Sequence, residues 1–361
     1  MLEIKEDTFS QGPDIVVIGV GGGGNNALDR MIENKVAGVR YIAVNTDSQV
    51  LNACQADERV QIGKKLTRGY GAGADPSVGE AAAVENEEDL RQAINNADMA
   101  IITCGLGGGT GTGAAPVIAK QCHDAGILTV AIVTEPFSFE SVPRTILAKK
   151  AVDELKTCVD TLIVIPNDKL LQLSDRQLTL ENAFLMADSV LHYAIEGITN
   201  IVYNKGIVNL DFNDLRTTLA NKGIGHLGIG TIKKDSSILE AVKQAINSPL
   251  LDTSIAGATN ILINTTGNIN LMDLNEAISY VREIAGEGVN IIWGTVSSNE
   301  EQPIITLMAT GMSEKKEVPI IHKTIQPKHE ESVHKSAPIP ESKVSRKEIE
   351  IPPFLQQHLN K

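Results

Sequence analysis

Gly105-Leu106-Gly107-Gly108-Gly109-Thr110-Gly111-Thr112-Gly113 follows the apolar run Met99–Thr103 and leads into a helical pattern over 112–124. Six glycines in these nine positions cost much backbone entropy, which a plain connector has no need to bear. A similar junction lies upstream, where the strand-like run Ile15–Val20 passes directly into Gly21-Gly22-Gly23-Gly24-Asn25-Asn26-Ala27. Glycine lets backbone N–H groups approach an anion, and a helix N-terminus adds about half a positive charge. Two glycine loops at two strand-to-helix junctions imply two anion cradles, enough to grip a polyphosphate from both sides. Gly71-Ala72-Gly73-Ala74-Asp75-Pro76 is a third such loop, either a tight turn or a segment that closes over a terminal phosphate.

Gly19-Val20-Gly21-Gly22-Gly23-Gly24 also satisfies G-x-G-x-x-G, and Asp47 follows the second strand, near the place of a ribose-binding acid. An NAD-binding oxidoreductase is therefore the first alternative. It leaves the loop Gly105–Gly113 unexplained. No G-x-x-x-x-G-K-[ST] occurs, since Gly63-Lys64-Lys65 lacks both spacing and hydroxyl. Backbone amides, threonine hydroxyls and a metal must then do the work of a P-loop lysine.

Around these loops the chain reads as α/β. The runs Ile15–Val20, Tyr41–Val44, Met99–Thr103, Ile127–Val133 and Leu162–Ile165 predict buried strands, and 78–95, 112–124 and 145–157 predict helices. That alternation is the rhythm of a doubly wound, mostly parallel, Rossmann-like sheet. Apolar residues from Leu180 to Val202 recur at steps of three and four, predicting one long helix with Thr179 as N-cap. Strands at Leu227–Ile232, Asn260–Asn264, Asn290–Thr295 and Ile304–Ala309, with helices over 237–247 and 273–285, predict a smaller second α/β domain. The resulting division is a flexible N-terminus (1–13), a nucleotide-binding domain (14–178), a central helix (179–203), a second domain (204–312), a disordered linker (313–346) and a terminal peptide (347–361).

Composition bounds the function classes. The 361 residues carry 32 basic and 45 acidic side chains, a net −13 that argues against a broad nucleic-acid surface. The four cysteines form no C-x-x-C pair, so neither a disulfide scaffold nor a zinc site is expected, and no residue is assigned as a metal ligand. No signal peptide opens the chain, and no apolar run approaches the roughly 18 residues of a membrane span, so a cytoplasmic protein without membrane insertion is expected. Past Met312 there is no glycine, six of the 14 prolines occur, and no aromatic precedes Phe354. Such a segment cannot bury enough apolar surface to offset chain entropy. Ile349-Glu350-Ile351-Pro352-Pro353-Phe354-Leu355 then restores apolar residues, either as a frayed end or as a motif that docks in a partner's groove.

The G-G-G-T-G-T-G loop resembles the tubulin signature, and the chain as a whole resembles the tubulin/FtsZ family, within it the FtsZ cell-division GTPases of bacteria. The likeness runs in order through Ile18–Ala27, Asn45-Thr46-Asp47, Gly71–Pro76, Gly105–Gly113, Thr134–Glu140, Asn167-Asp168, Phe184 with Asp188, and Asn209–Asp214, and returns at the last dozen residues. It implies a GTPase that binds GTP or GDP, with Mg2+ accompanying GTP. Gly21, Gly22 and Asn26 would hold phosphates, Ala72 and Gly73 would sense the γ-phosphate, and Gly108, Gly109, Thr110 and Gly111 would cradle the polyphosphate. Thr112 and Asp47 belong to the same implied nucleotide set. Glu140 would contact ribose with Arg144 nearby, and Asn167 would contact the base. The family polymerises head to tail, its acidic loop entering the next subunit's nucleotide site. Asp211 and Asp214, with Asn209, would thus be catalytic in trans. The implied assembly is a ring at midcell on the inner face of the membrane, tethered and regulated through residues 347–361.

Phe184 and Asp188 lie one helical turn apart on the long helix, so they point the same way. A carboxylate on an apolar stripe is costly unless paired. Either Asp188 is satisfied inside the core, or Phe184 stacks on a purine while Asp188 accepts from guanine N1–H and N2–H2, donors that adenine does not present together. Asp211 and Asp214 at i and i+3 equally suit a helix cap. Departures from the family pattern are Ser141 for the usual glycine, Pro143 before Arg144, His226-Leu227 before Gly228, Glu350 and Gln356. A ligand role or plain packing is open to His226. A nucleotide-gated adaptor that does not polymerise is the remaining alternative.

Overall fold

The run Ile15–Val20 (β1) is buried at every residue, as a strand covered on both faces requires. Its side chains alternate: Ile15 and Val17 join one core while Val16, Ile18 and Val20 join another. The computed structural model describes residues 12–312 apart from 35, 37, 173–178, 204–210, 232–236, 249–253, 267–269 and 297–303. Asn209, the linker and the terminal peptide lie outside the described residues, as does the expected flexible N-terminus up to residue 11.

β1 belongs to a seven-stranded parallel sheet with β2 (Val39–Asn45), β3 (Glu58–Gln61), β4 (Met99–Gly105), β5 (Leu128–Glu135), β6 (Thr161–Pro166) and β7 (Gly223–Ile224), in the order β3-β2-β1-β4-β5-β6-β7. Helices α1 (Gly21–Glu33), α2 (Ser48–Ala53), α3 (Lys64–Thr67), α4 (Pro76–Glu85), α5 (Glu87–Ala93), α6 (Thr110–Asp124), α7 (Val142–Cys158) and α8 (Asn167–Gln172) lie between these strands and after β6. The long helix α9 (Leu180–Tyr203) follows, with Thr179 Oγ1 accepting from Asn182 N at its start. Then come α10 (Phe212–Leu219), β8 (His226–Thr231), α11 (Ile238–Ile246), β9 (Asn260–Thr266), α12 (Leu271–Ala285), β10 (Asn290–Val296) and β11 (Ile304–Thr310). The second sheet has the order β10-β9-β11-β8, with β11 antiparallel to both neighbours.

The fold class matches the sequence expectation. Met186, Val190, Ile195 and Ile198 of α9 share one core with β1, with Leu227 and Ile229 of β8 and with Leu262 of β9, so the helix is the common wall of both sheets. The expected single helix over 78–95 is instead two, broken at Asn86. That side chain accepts from Gly63 N at 2.8 Å and donates to Asp89 at 2.7 Å, ties to residues far away and near at hand that a helix interior would not offer. His226 is fully buried on β8, opposite Ala309 of β11, which is the packing role.

Candidate functional site

The strand order reverses between β1 and β4, and both glycine loops leave the sheet there, at its C-terminal edge. Open α/β sheets hold ligands at such a switch point. The two loops touch: a Cβ on Gly21, which has φ +72°, would lie 2.8 Å from Gly111 N, and one on Gly23 would lie 3.3 Å from Gly105 N. Gly22 and Gly108 differ, since a Cβ on either would meet nothing within 4 Å. The glycine-rich composition thus serves two ends, letting the loops interlock and leaving backbone bare toward an open cleft.

That cleft encloses about 520 Å³. Of the residues anticipated from sequence, Gly21, Gly22, Asn26, Gly108, Gly109, Thr110, Gly111, Glu140, Arg144, Asn167, Phe184 and Asp188 line it. α1 and α6 both begin at the cleft, and neither has an acid in its first turn, so both positive helix ends are available to an anion. Asn167 Oδ1 is buried without a hydrogen-bond partner, an orphaned acceptor that a donor on a ligand would satisfy. The open glycine cradle, the unopposed helix ends and this acceptor fit a nucleotide with its phosphates at the loops. No group of three or more His, Cys, Asp or Glu side chains that could hold a metal occurs among the described residues.

Four anticipated residues do not line the cleft. Thr112 Oγ1 accepts from Gly107 N at 2.9 Å and so braces the loop from within. Asp47 caps α2, accepting from Gln49 N and Val50 N. Ala72 is buried against the second loop, where a Cβ on Gly109 would lie 2.8 Å from the Ala72 methyl. Gly73 is exposed beside it, at φ +60°. Gly19 and Gly24 of the dinucleotide fingerprint pack strand against helix: a Cβ on Gly24 would lie 2.9 Å from Gly19 C.

On the sugar side, Glu140 Oε1 accepts from Phe137 N at 3.0 Å and Oε2 accepts from Arg144 Nη1 at 2.6 Å. The substitutions Ser141 and Pro143 build the start of α7. Ser141 Oγ accepts from Arg144 N, and Pro143 sits in the first turn, where its missing N–H does no harm. Phe184 packs edge-on to Phe137 with centroids 5.4 Å apart, yet stays 41% exposed, leaving its ring available for stacking.

Asp188 is paired, which the sequence did not disclose. Arg30 Nε of α1 donates to its Oδ2 at 3.2 Å. Burial still pushes the Asp188 carboxyl up to about 6, against the opposing pull of Arg30. One turn later the buried His192 is pushed down to about 4 by desolvation and is neutral. Sequence reading also passed over Asn25, whose Nδ2 donates to Gly19 O and whose Oδ1 accepts from Asn45 Nδ2 at 2.7 Å, and Thr46, paired to Thr110 at 2.6 Å. The quoted motif Asn45-Thr46-Asp47 was the available signal for both.

Asp211 and Asp214 form a reciprocal cap at the start of α10: Asp211 Oδ1 accepts from Asp214 N at 2.9 Å, and Asp214 Oδ2 from Asp211 N at 3.4 Å. Neither lines the cleft. α10 is fastened to the opposite sheet edge, where Thr161 Oγ1, at the start of β6, donates to Leu219 O at 2.6 Å. Buried Asp160 completes the joint, accepting from Thr129 N and Asn221 N.

Two family models match the chain: Tubulin/FtsZ family, GTPase domain, over residues 14–175, and FtsZ family, C-terminal domain, over residues 223–313. An FtsZ dimer, empty, from M. jannaschii is 42% identical with a TM-score of 0.79, covering 84% of this chain and 89% of its own. A point variant of FtsZ from M. jannaschii is 41% identical with a TM-score of 0.80, over 83% of this chain and 92% of that one. CetZ1 from Haloferax volcanii, a GDP-bound monomer, shares the fold at 22% identity and a TM-score of 0.73, over 83% and 95%. These matches displace the oxidoreductase alternative. By identity over most of its length and by the match of both domains, the chain belongs to the tubulin/FtsZ family and, with it, to the GTP-binding cytoskeletal GTPases.

Proposed function

We propose that the chain assembles head to tail and hydrolyses GTP only at the junctions, where the Asp211–Asp214 loop of one protomer, with Asn209, completes the cleft of the next. One observation carries this reading. Among the described residues the two carboxylates lining the cleft are already engaged, Glu140 by Phe137 N–H and Arg144 and Asp188 by Arg30, while the acid pair stands outside the cleft, capping a helix whose far end is tied to the start of β6 at the opposite edge of the same sheet. A protomer so built would present phosphates in its cleft and acids outside it, free to enter the cleft of another. Repeating that contact by translation gives an open filament rather than a closed ring of subunits. The relative from M. jannaschii described as an FtsZ dimer supports self-association.

In the cleft, the backbone of Gly21–Gly22 and Gly108–Gly111 would hold the phosphates and Phe184, Asp188 and Asn167 the base, with Thr110 near the polyphosphate. When bound, Mg2+ would neutralise phosphate charge. Asp211 and Asp214 would orient and polarise the attacking water, a role worth about 10²–10⁴ in rate. The filament would serve cell division as a ring at midcell in the cytoplasm, linked to the membrane by tethers that bind residues 347–361. Among the described residues no helix is long and apolar enough to cross a membrane, so attachment through a partner is consistent.

Phosphate release measured across protein concentrations, together with pelleting, tests the reading. Turnover per molecule should rise steeply where GTP-dependent pelleting begins. Turnover constant from dilute to concentrated protein would remove the shared site and favour the non-polymerising adaptor.

A further inference from the structure

We propose that Arg30 is a specificity-determining positioning residue, which holds the Asp188 carboxylate ionised and aimed so that the cleft reads two donors on the base edge. The inference rests on the reading of Asp188 as the guanine contact and adds the residue that makes it work.

α1 links the glycine loop to Asp188. Its first turn is the glycine loop, and Arg30 lies in its last turn, 158 positions from Asp188 in sequence yet 3.2 Å from it in space. The side chain of Asp188 is only 17% exposed and that of Arg30 30%. An isolated carboxylate this buried tends to protonate rather than stay charged. Groups around the pair do not replace Arg30. His192, one turn along α9, is neutral through burial. Glu140 and Arg144, across the cleft, neutralise each other. Asp168 and Lys169, on α8, which packs against α9, are adjacent charges of opposite sign. Arg30 is the cation in contact with Asp188.

The protonation state decides what the base edge meets. Arg30 takes Oδ2, so Oδ1 and the second lone pair of Oδ2 face the ligand as two acceptors. Guanine offers N1–H and N2–H2 to match, whereas hypoxanthine offers N1–H alone. A protonated carboxyl keeps one acceptor and turns a donor toward the other site, where it opposes the guanine amino group but meets nothing on hypoxanthine. The GTP/ITP preference therefore reports the charge on Asp188. Taking the ratio cancels the titration of the triphosphate, which both nucleotides share.

Dissociation constants for GTP and ITP, measured from pH 5 to 8 on wild type, R30Q, R30K and D188N, test the proposal. Wild type should prefer GTP by about tenfold or more near pH 8, the worth of one hydrogen bond to a charged group. That preference should be lost as pH falls below about 6, the value to which burial raises Asp188 in the free protein, because the ratio follows Asp188 in the complexes, where the donors of the base pull it lower. In R30Q the loss should begin roughly one pH unit or more higher, since an opposite charge at this range is worth about that much. R30K, which keeps the charge, should restore most of the wild-type profile. Because Arg30 is partly exposed, its removal admits water rather than leaving a dry void, and R30A stands in should R30Q not fold. An unmoved midpoint in R30Q or R30A, or an equal weakening of both nucleotides at every pH, overturns the role of Arg30. D188N offers one donor and one acceptor at any pH, so its preference should be flat and small. A D188N preference equal to wild type would instead sink the base-reading assignment itself.

Discussion

At the scale of single residues, the glycines divide by what surrounds them. Gly21 combines a left-handed φ with a backbone neighbour at 2.8 Å, so alanine there strains the chain and forces the loops apart. Gly108 has neither constraint, and an alanine methyl would simply stand in the cleft. Gly108→Ala should therefore leave the melting temperature near wild type while lowering GTP affinity by about tenfold to a hundredfold, the loss of one charged hydrogen bond. Gly21→Ala should lower stability by about 1–3 kcal/mol, as overpacking does. Thermal melts and nucleotide titrations of the two variants check the contrast, and equal destabilisation would remove it. Residue identity alone could not sort them, because the neighbour that constrains Gly21 comes from the other loop and Gly108 has none within 4 Å. Arg30 was hidden for the same reason: in sequence it is one more polar residue on an amphipathic helix, and its partner is on α9. Phe184 and Asp188 were legible because both signals, the aromatic and the lone acid on an apolar face, lie within one turn of one helix.

The elements follow the same division between local and distant causes. Strands β1, β4, β5 and β6 stood out as unbroken apolar runs because they are buried on both faces. β3, with the sequence Glu-Arg-Val-Gln at the sheet edge, and β7, only two residues long, carry no such signature and exist by pairing with a neighbour. In α10 the carboxylates cap the helix, and each has a further oxygen for the catalytic role proposed. Substitution can separate the roles. Asparagine caps as well as aspartate does, so Asp211→Asn should keep stability within about 0.5 kcal/mol of wild type while GTP turnover falls by about a hundredfold or more. Asp211→Ala should lose turnover and, in addition, about 1 kcal/mol of stability. An Asp211→Asn protein with wild-type turnover would confine the acid to capping.

For the whole molecule, the decisive relation is between the two edges of the seven-stranded sheet. Under the proposed assembly the defects of two damaged chains are complementary. Asp214→Asn keeps a cleft but lacks the acid, whereas Gly108→Ala keeps the acid but binds nucleotide poorly. Mixed at equal concentration, each Asp214→Asn cleft that meets a Gly108→Ala neighbour regains a working site. Phosphate release from the mixture should exceed the sum of the two proteins measured separately. Strict additivity would mean that each chain supplies its own acids. Domain order and the long helix were legible in the sequence from periodicity. The placing of α10 was not, because Asp160 and Thr161 hold it by contacts to Thr129, Leu219 and Asn221 across gaps of 31 to 61 residues.

Under the proposed assembly, the placing of the acid pair outside its own cleft would give any row of these molecules two unlike tips. At one tip the outermost cleft would face solvent, with no carboxylates arriving from beyond, so its triphosphate would survive until another molecule docked. At the other tip the acids would be bare and the nucleotide already enclosed. The row would then carry a fresh cap on one side only, and the age of its nucleotides would record the direction in which it grew.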